Sequence, residues 1–326
     1  MSAAVIRDLI ELGGAGADVV ELGRDLLVAE VGSGAVRIGV HRSGPLPTGD
    51  LEAFDILLSA DPAAPRPWVG LGEGLDAVLA GLRDQIERQP AAAAVAAQVL
   101  RASLALGFDE ALAMESIGYS MLLASEGFAA WRAATPARQR PDEPAPRVLV
   151  VADGPALRLR LNRPASRNAF DARMRDELAE ALAFALAHPD APPVELTGEG
   201  PSFSAGGDLD EFGAAGDVGR AHLIRTLRSP ARLVHQLGPR ITARVHGACV
   251  GAGIEVPAAA GHVVAAPDAS FRLPEVSMGL IPGAGGVASI PRRIGRRRAC
   301  YMAISGAEID AQTALAWGLV DAVEGR

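Results

Sequence analysis

The chain has 326 residues, of which 49% are hydrophobic and 21% are charged, and its formal net charge is -8. This composition is typical of a soluble globular protein with one large core or two modest ones, and it argues against disordered and fibrous classes. The negative charge argues against a nucleic-acid partner.

The sequence also argues against a membrane location and a bound metal. No apolar run approaches the roughly 18 to 20 residues that span a bilayer, and charged residues at positions 7, 8 and 11 interrupt the amino terminus. We therefore expect a cytoplasmic protein with no membrane partner. Cys249 and Cys300 lack metal-type spacing, so we expect neither a disulfide scaffold nor a metal site. The absence of lysine excludes Schiff-base chemistry.

The residues before position 134 predict two kinds of structure. Residues 26–42 have the pattern of a strand, a glycine turn and a second strand that ends in arginine. Residues 73–132 are rich in alanine and have helical periodicity, which is broken at Pro90 and near Gly107. This second segment predicts a helical subdomain.

A change of composition divides the chain. Residues 134–147 are rich in proline and charge and lack apolar periodicity, which is typical of a surface linker. We therefore predict an N-terminal region at 1–133, a linker at 134–147 and a core that carries the active site at 148–326.

After the linker, the pattern alternates between strands and helices. VLVVAD and ALRLRLN predict two antiparallel strands joined at Gly154-Pro155, and the following helix begins at an N-cap-like Asp171. Further strands are predicted at 193–198, 241–247 and 262–267, with helices at 218–236 and from about 252. This alternation predicts βα units with strands that are buried on both faces.

Two glycine-rich stretches of this core could bind an anion. In GEGPSFSAGGDLDEF (198–212), glycines flank Ser204-Ala205, so backbone N–H groups could approach a ligand, although a plain turn would have the same pattern. VHGACVGAGIEVPAAAGH (245–262) predicts a strand and then a helix with Glu255 in its first turns. The start of that helix would suit a developing oxyanion, although Glu255 could instead serve the helix dipole.

The third stretch, FRLPEVSMGLIPGAGG (271–286), places Glu275 beside a glycine loop. GAGGVA fits the loose dinucleotide-binding pattern, and Glu308 lies at the distance where that pattern has an acid. However, Pro282 precedes the first glycine and Pro291 would interrupt the helix that must follow, which argues against nucleotide binding. The arginines between 292 and 298 predict a solvated helix face, with contact to an anionic ligand as the alternative.

Taken together, FSAGGDL, GAGIE and PEVSMGLIPGAGG resemble, in the same order, the three signatures of the crotonase (enoyl-CoA hydratase/isomerase) family. Glu255 and Glu275 lie 20 residues apart (275 - 255), as do the two catalytic glutamates of the family's hydratases. The resemblance runs from about residue 148 to the end. It implies an α/β fold with a crotonase-like ββα spiral core, to which the N-terminal half contributes a helical subdomain.

The resemblance also implies roles for individual residues. The backbone N–H groups of Ala205 and Ala252 would form the oxyanion hole, and the glycine loop would be a tight turn that fixes Glu275 instead of a cofactor cradle. Coenzyme A would enter only as part of an acyl-CoA substrate, with no separate cofactor. The residues expected to line the substrate site are Ala205, Gly206, Gly207, Asp208, Arg167 and Ala169, the last two on the CoA phosphate and the adenine.

The order of the segments departs from the family pattern. Family members continue past the counterpart of 318–323 into carboxy-terminal helices, and residues 109–133 resemble those helices. The resemblance therefore implies a circularly permuted or partly duplicated crotonase, in which the linker joins the old carboxy terminus to the old amino terminus. Position 252 also differs, because alanine stands where the hydratases most often have glycine.

The leading functional hypothesis is addition of water to trans-2-enoyl-CoA in fatty acid metabolism, with Glu255 as the base and Glu275 as the proton donor. One alternative is double-bond isomerisation by Glu275 alone. Another is a non-catalytic acyl-CoA-binding partner subunit. The resemblance also implies a homo-oligomer, either a trimer or a hexamer.

Overall fold

A computed structural model of the protein describes residues 16–23, 36–49, 51–138 and 144–325. The strand, turn and strand predicted at 26–42 are described only from residue 36, and positions 26–35 lie outside the described residues. The same is true of residues 139–143 in the predicted linker.

Residues of the N-terminal region form a four-stranded parallel sheet. Its inner strands are buried along their whole length because their sequences, VRIGVH and ILLS, are largely aliphatic. In spatial order the strands are β1 (Ala17–Glu21), β2 (Val36–His41), β3 (Ile56–Ser59) and β4 (Val69–Gly70).

Four helices follow this sheet and confirm the helical pattern of residues 73–132. The breaks fall where the sequence predicted them, since Pro90 opens the second helix and Gly107 precedes the third in an extended conformation. The helices span Leu75–Arg88, Pro90–Ser103, Phe108–Leu122 and Glu126–Ala134, after a 3-10 turn at Gly72–Gly74.

The residues after the linker form a six-stranded sheet in the order β13-β10-β8-β7-β6-β5. Its first two strands form the predicted antiparallel hairpin, in which Leu157, Leu159 and Leu161 are buried and alternate with partly exposed arginines. All other neighbours in this sheet are parallel. The strands are β5 (Val148–Asp153), β6 (Ala156–Leu161), β7 (Val194–Gly198), β8 (Ile241–Val245), β10 (His262–Ala265) and β13 (Ala322–Val323).

A smaller three-stranded sheet carries the active-site loops. The chain leaves β8 at Val245, turns at Gly247 with a positive φ of 53°, and enters the smaller sheet directly. Its strands, in the order β12-β11-β9, are β9 (Ala248–Val250), β11 (Ser270–Arg272) and β12 (Ile309–Asp310).

The remaining helices cover both sheets. They span Ala172–Ala187, Val218–Leu227, Pro230–Leu237, Ala252–Glu255, Gly286–Ile294, Arg296–Ser305 and Ala311–Trp317, with 3-10 turns at Pro164–Ser166, Gly238–Arg240, Pro257–Ala259 and Glu275–Met278. In the described parts of the chain, no helix is both long and apolar enough to cross a bilayer.

Arginines of the helix Arg296–Ser305 join the N-terminal region to the core. Arg296 and Arg297 donate hydrogen bonds to the carbonyl oxygen of Phe54, at 3.0 and 3.2 Å, and Arg298 donates to that of Trp68 at 2.9 Å. All three side chains are buried, with 5 to 9% of their surface exposed. The expectation of a solvated helix face was therefore wrong for these three arginines, which bind backbone carbonyls of residues 51–68, whereas Arg292 is exposed.

The larger of two hydrophobic clusters among the described residues also runs through both halves of the chain. It includes Val40 and Leu82 from the N-terminal region and Leu161, Ile254 and Ile290 from the residues after the linker. Burial of apolar surface in this shared core makes each half depend on the other for stability.

We expect removal of residues 1–140 to give insoluble protein, because it exposes the apolar surface beneath the helices Pro90–Ser103 and Phe108–Leu122. Solubility and size-exclusion chromatography of a 141–326 fragment measure this effect. Co-expression of residues 1–140 as a separate chain is the control and should restore soluble protein. A soluble, fully active 141–326 fragment would show that the N-terminal region folds as an independent domain.

Candidate active site

A cavity of about 860 Å³ lies between the core and the helix Phe108–Leu122. Residues from both sides of the linker form its wall. Among the residues predicted from the sequence, the cavity brings together Gly207, Asp208, Ala252, Glu255 and Glu275.

Glu255 is held in place by backbone N–H groups. It ends the one-turn helix Ala252–Glu255, which directly follows β9, and its side chain is buried. Its Oε2 accepts hydrogen bonds from the N–H groups of Ala284, at 2.7 Å, and Gly286, at 2.9 Å. Burial raises the pKa of Glu255 to about 7, and these N–H groups partly offset the shift.

Glu275 is equally buried but lacks comparable support. Its Oε2 has no hydrogen-bond partner within the described residues. Burial, and next the charge of Glu255, raise the pKa of Glu275 well above its usual range. Of the two glutamates, Glu275 thus has the more strongly raised pKa.

The two glutamates meet across Gly251. A Cβ atom built on this glycine would lie 2.3 Å from Oε1 of Glu275 and 3.7 Å from Oε1 of Glu255. Both carboxyl groups therefore lie beside Gly251, and a side chain at this position would clash with Glu275.

The glycine loop binds side-chain carboxylates through its N–H groups. Ala284 and Gly286 donate to Glu255, as described above, and Gly285 and Val287 donate to Glu115. These N–H groups are thus unavailable to a phosphate, which agrees with the interpretation that the loop is not a cofactor cradle. The prediction that this loop fixes Glu275 was wrong. The four N–H groups bind Glu255 and Glu115, and none of them bonds to Glu275.

Glu115 is a site residue that the sequence analysis missed. It lies in the helix Phe108–Leu122, before the linker, and its two oxygens accept from Gly285 at 2.8 Å and from Val287 at 2.7 Å. Burial, and next the charge of Glu255, raise the pKa of Glu115 well above its usual range. A sequence signal did exist, because Glu115 shares the buried face of its helix with Leu112 and Leu122.

The cavity N–H groups that have no acceptor differ from the pair that was predicted for the oxyanion hole. The N–H of Ala205 donates to the carbonyl oxygen of Arg167 at 2.8 Å, so the expectation for Ala205 was wrong. The N–H groups of Gly207 and Ala252 line the cavity and have no acceptor within the described residues. Gly207 forms a parallel β-bridge with Phe170. The hydrogen bonds of this bridge are made by its neighbours, since the Gly206 carbonyl accepts from the N–H of Phe170 and the N–H of Asp208 donates to the Phe170 carbonyl. The N–H of Gly207 therefore points away from Phe170.

The other predicted site residues differ in their positions. Asp208 is buried and forms an ion pair with Arg163 at 2.6 Å, which anchors this loop. Gly206 has φ of 89°, and a Cβ on it would lie 2.6 Å from the carbonyl oxygen of Val250. This close approach keeps the loop against β9.

The two residues predicted to contact coenzyme A, Arg167 and Ala169, lie outside the cavity wall. Arg167 is exposed, with a left-handed φ of 50°, and Ala169 is largely buried. Neither residue belongs to the wall of the cavity. Their contact with coenzyme A therefore stays a prediction.

Residues 155–326 match the sequence profile of the family described as enoyl-CoA hydratase/isomerase, and the chain belongs to this family. It is similar to mevalonyl-coenzyme A hydratase SIDH of Beauveria bassiana, with 36% identity over 55% of this chain and 64% of the relative. It is also similar to 2,3-dehydroadipyl-CoA hydratase of Escherichia coli, with 37% identity over 51% of this chain and 65% of the relative. The chain thus spans slightly less than two thirds of these curated relatives.

Solved structures show the same relationship. The enoyl-CoA hydratase from Thermoplasma volcanium superposes with a TM-score of 0.52 and 34% identity, over 56% of this chain and 73% of the other. An enoyl-CoA hydratase from Mycobacterium smegmatis gives a TM-score of 0.51 at 31% identity, over 56% and 71% of the two chains. The crotonase fold is therefore confirmed for the residues after the linker.

We expect Gly251→Ala to lower turnover at least tenfold, because the new methyl group would displace the carboxyl of Glu275. Gly238→Ala is the matched control. Its φ of 55° and ψ of -128° resemble the 49° and -120° of Gly251, so the backbone strain is shared, but nothing lies within 4 Å of the added Cβ. Turnover per folded molecule measures the effect, and unchanged turnover in Gly251→Ala would show that Glu275 is not held at this point.

We expect Glu275→Gln to stabilise the fold increasingly as the pH rises from 5 to 9. The pKa of Glu275 is higher in the folded than in the unfolded protein, so ionisation favours unfolding once the pH exceeds the unfolded value. Glutamine removes this penalty. Thermal unfolding at several pH values measures the gain, with the exposed Glu308→Gln as the control, and a gain that does not change with pH would contradict the assigned shift.

Proposed function

We propose that the protein adds water across the double bond of trans-2-enoyl-CoA thioesters. The observation that carries this proposal is a pair of buried carboxyls with unequal hydrogen-bond support, Glu255 and Glu275, in one cavity with two free N–H groups. The relatives named as hydratases support it, although the chain spans only part of their length.

The substrate carbonyl would accept hydrogen bonds from the N–H groups of Gly207 and Ala252. Both groups belong to the backbone and are fixed before the substrate arrives, so they need no reorganisation when negative charge develops on the oxygen. One such donor contributes of order 3 to 4 kcal/mol to transition-state stabilisation.

Glu255 then acts as the base. Its Oε2 is held by the glycine loop, so Oε1 is the oxygen that receives a proton from a water molecule. The water oxygen forms a bond to C3 of the acyl chain, and the π electrons of the C2–C3 double bond move to give an enolate. Gly207 and Ala252 stabilise the enolate oxygen.

Glu275 completes the addition. Its protonated carboxyl transfers the proton to C2, the new C–H bond forms and the thioester carbonyl is restored. One water is consumed, Glu255 has gained a proton and Glu275 has lost one. Exchange with solvent in the cavity returns both carboxyls to their starting states before the next turnover.

Double-bond isomerisation is the second candidate. It is favoured by one observation, that Oε2 of Glu275 is unbonded, so this carboxyl alone could move a proton between C2 and C4. The non-catalytic alternative has no such support, because a binding subunit would have no need for three carboxyls buried at considerable cost.

We also infer a cytoplasmic homo-oligomer, either a trimer or a hexamer. Two neighbouring helices expose large apolar side chains that a second copy could cover, namely Ile117, Met121, Leu223 and Leu227. Both cysteines are free, as in proteins of a reducing compartment.

We further propose that residues 1–133 are a rearranged carboxy-terminal segment, as in a circular permutation. The supporting observation is that Glu115, from this region, contributes directly to the hydrogen bonds of the glycine loop. An appended domain with an unrelated role would have no reason to supply a buried side chain there.

We expect Glu255→Gln to lower hydration at least a hundredfold and to spare any isomerase activity, whereas Glu275→Gln should abolish both. Loss of the conjugated absorbance of an enoyl-CoA measures hydration, and its appearance from a 3-enoyl-CoA measures isomerisation. Full hydration by both variants would refute the two-carboxyl mechanism.

We expect kcat/KM for hydration to rise with pH through about 7, because Glu255 must lose its proton to act as a base. The rate should fall again at higher pH, when Glu275 ionises. Initial rates between pH 5 and 10 measure the profile, and a rate that stays constant between pH 6 and 8 would contradict the role of Glu255.

A further inference from the structure

Arg225 extends from the helix Val218–Leu227 toward the helix Phe108–Leu122 and lines the same cavity as the catalytic carboxyls. Its Nε donates to Oγ of Ser116 at 3.0 Å, and its Nη2 donates to Oγ of Ser120. The guanidinium group lies 4.7 Å from the centre of the Tyr119 ring. The side chain is thus held in one orientation by hydroxyls and an aromatic face.

None of these partners neutralises the charge of Arg225. Within the described residues, no carboxylate lies within 4 Å of its guanidinium group, and its Nη1 has no acceptor. Arg175 and Arg228 line the same cavity, and each forms an ion pair with Asp176, at 2.8 and 3.1 Å. Arg225 therefore differs from these neighbours in lacking a counter-ion, although it is only half exposed.

The nearest acidic group does not serve this purpose. Glu115 uses both oxygens to accept the N–H groups of Gly285 and Val287. Burial, and next the charge of Glu255, raise the pKa of Glu115 well above its usual range, although hydrogen bonds from Val287 and Gly285 and the charge of Arg225 partly offset the shift. A partly buried guanidinium without a counter-ion is costly, because its hydrogen bonds to neutral groups and its contact with the Tyr119 ring replace water but do not neutralise its charge.

Tyr119 separates Arg225 from the reacting groups. One face of Tyr119 meets the guanidinium, and a Cβ built on Gly283 would lie 2.4 Å from the ring. The next residue of the loop, Ala284, donates its N–H to Glu255. An acyl chain with its double bond beside Glu255 can therefore extend past Tyr119 toward Arg225, along apolar wall residues that include Leu112 and Ile224.

We propose that Arg225 binds a carboxylate at the far end of the acyl group, so the preferred substrates are CoA thioesters of unsaturated dicarboxylic acids. This inference rests on the proposed hydration of enoyl-CoA thioesters. A guanidinium group presents N–H donors in a plane that matches a carboxylate, and such charge-assisted hydrogen bonds are strong in a partly buried site. The carboxylate of the ligand would thereby act as the counter-ion that Arg225 lacks within the described residues.

The test compares two six-carbon trans-2-enoyl-CoA thioesters, one ending in a carboxylate and the other in a methyl group. We expect wild-type kcat/KM to favour the carboxylate by about 10- to 100-fold, which corresponds to one charge-assisted hydrogen-bonded pair. Arg225→Met should remove this preference, mainly by raising KM for the carboxylate thioester. Arg225→Lys, which keeps the charge but loses the planar donors, should retain part of it.

Arg228→Met is the matched control, because Arg228 lines the same cavity but already has Asp176 as its partner. It should leave the ratio of the two kcat/KM values unchanged. Equal losses for both thioesters in Arg225→Met would overturn the inference, since Arg225 would then bind coenzyme A itself or serve the fold. A wild-type protein that prefers the methyl-ended thioester would also overturn it.

Calorimetry separates this inference from the proposed reaction and needs no variant. The saturated thioesters adipyl-CoA and hexanoyl-CoA cannot be hydrated, so their affinities for the wild-type protein report recognition alone. We expect adipyl-CoA to bind at least tenfold more tightly, even if hydration of every enoyl-CoA fails and the proposed function with it. Equal affinities would refute the role of Arg225.

Discussion

Four consecutive backbone N–H groups, from Ala284 to Val287, bind two carboxylates in alternation. Ala284 and Gly286 donate to Glu255, and Gly285 and Val287 donate to Glu115. The loop leads into the helix Gly286–Ile294, so the positive end of the helix dipole adds to the favourable field. This arrangement fixes one catalytic oxygen and attaches the helix Phe108–Leu122 to the wall of the cavity.

The unequal support of the carboxyls gives them different chemical roles. Three buried carboxyls close to one another cannot all be ionised, so their different hydrogen bonds determine which one carries the charge. Glu255 accepts two backbone N–H bonds and has a pKa of about 7, whereas Glu275 has an oxygen with no partner and a pKa well above its usual range. The first is therefore suited to act as a base and the second as an acid at the same pH.

Local patterns predicted much of the fold, whereas the roles of Glu255 and Glu275 were implied by the family resemblance. The alternating leucines of β6, the breaks at Pro90 and Gly107 and the short helix at Glu255 depend on nearby residues, and the structure has them where the sequence placed them. The error at Ala205 arose because the family resemblance identifies the stretch that supplies an N–H group but not which N–H group in it already has an acceptor. Only the bond to the Arg167 carbonyl decides this.

Contacts between distant segments could not be predicted from the sequence. Glu115 and the glycine loop are 170 residues apart, and the carbonyls that bind Arg296 and Arg298 lie more than 200 residues away. A charged residue on a helix is usually solvated, so burial of these groups follows only from the docking of the N-terminal region. Arg225 was missed for the same reason, since its neighbours come from the other side of the linker.

The central claim is that Glu255 and Glu275 differ in protonation at neutral pH. Isotope-edited infrared spectroscopy of carboxyl-labelled protein measures this directly, with Glu255→Gln and Glu275→Gln used to assign the bands. The account predicts a protonated band from Glu275 at pH 7.5 and a band from Glu255 that titrates near 7. Two carboxylate bands that are already fully ionised at pH 6 would contradict it.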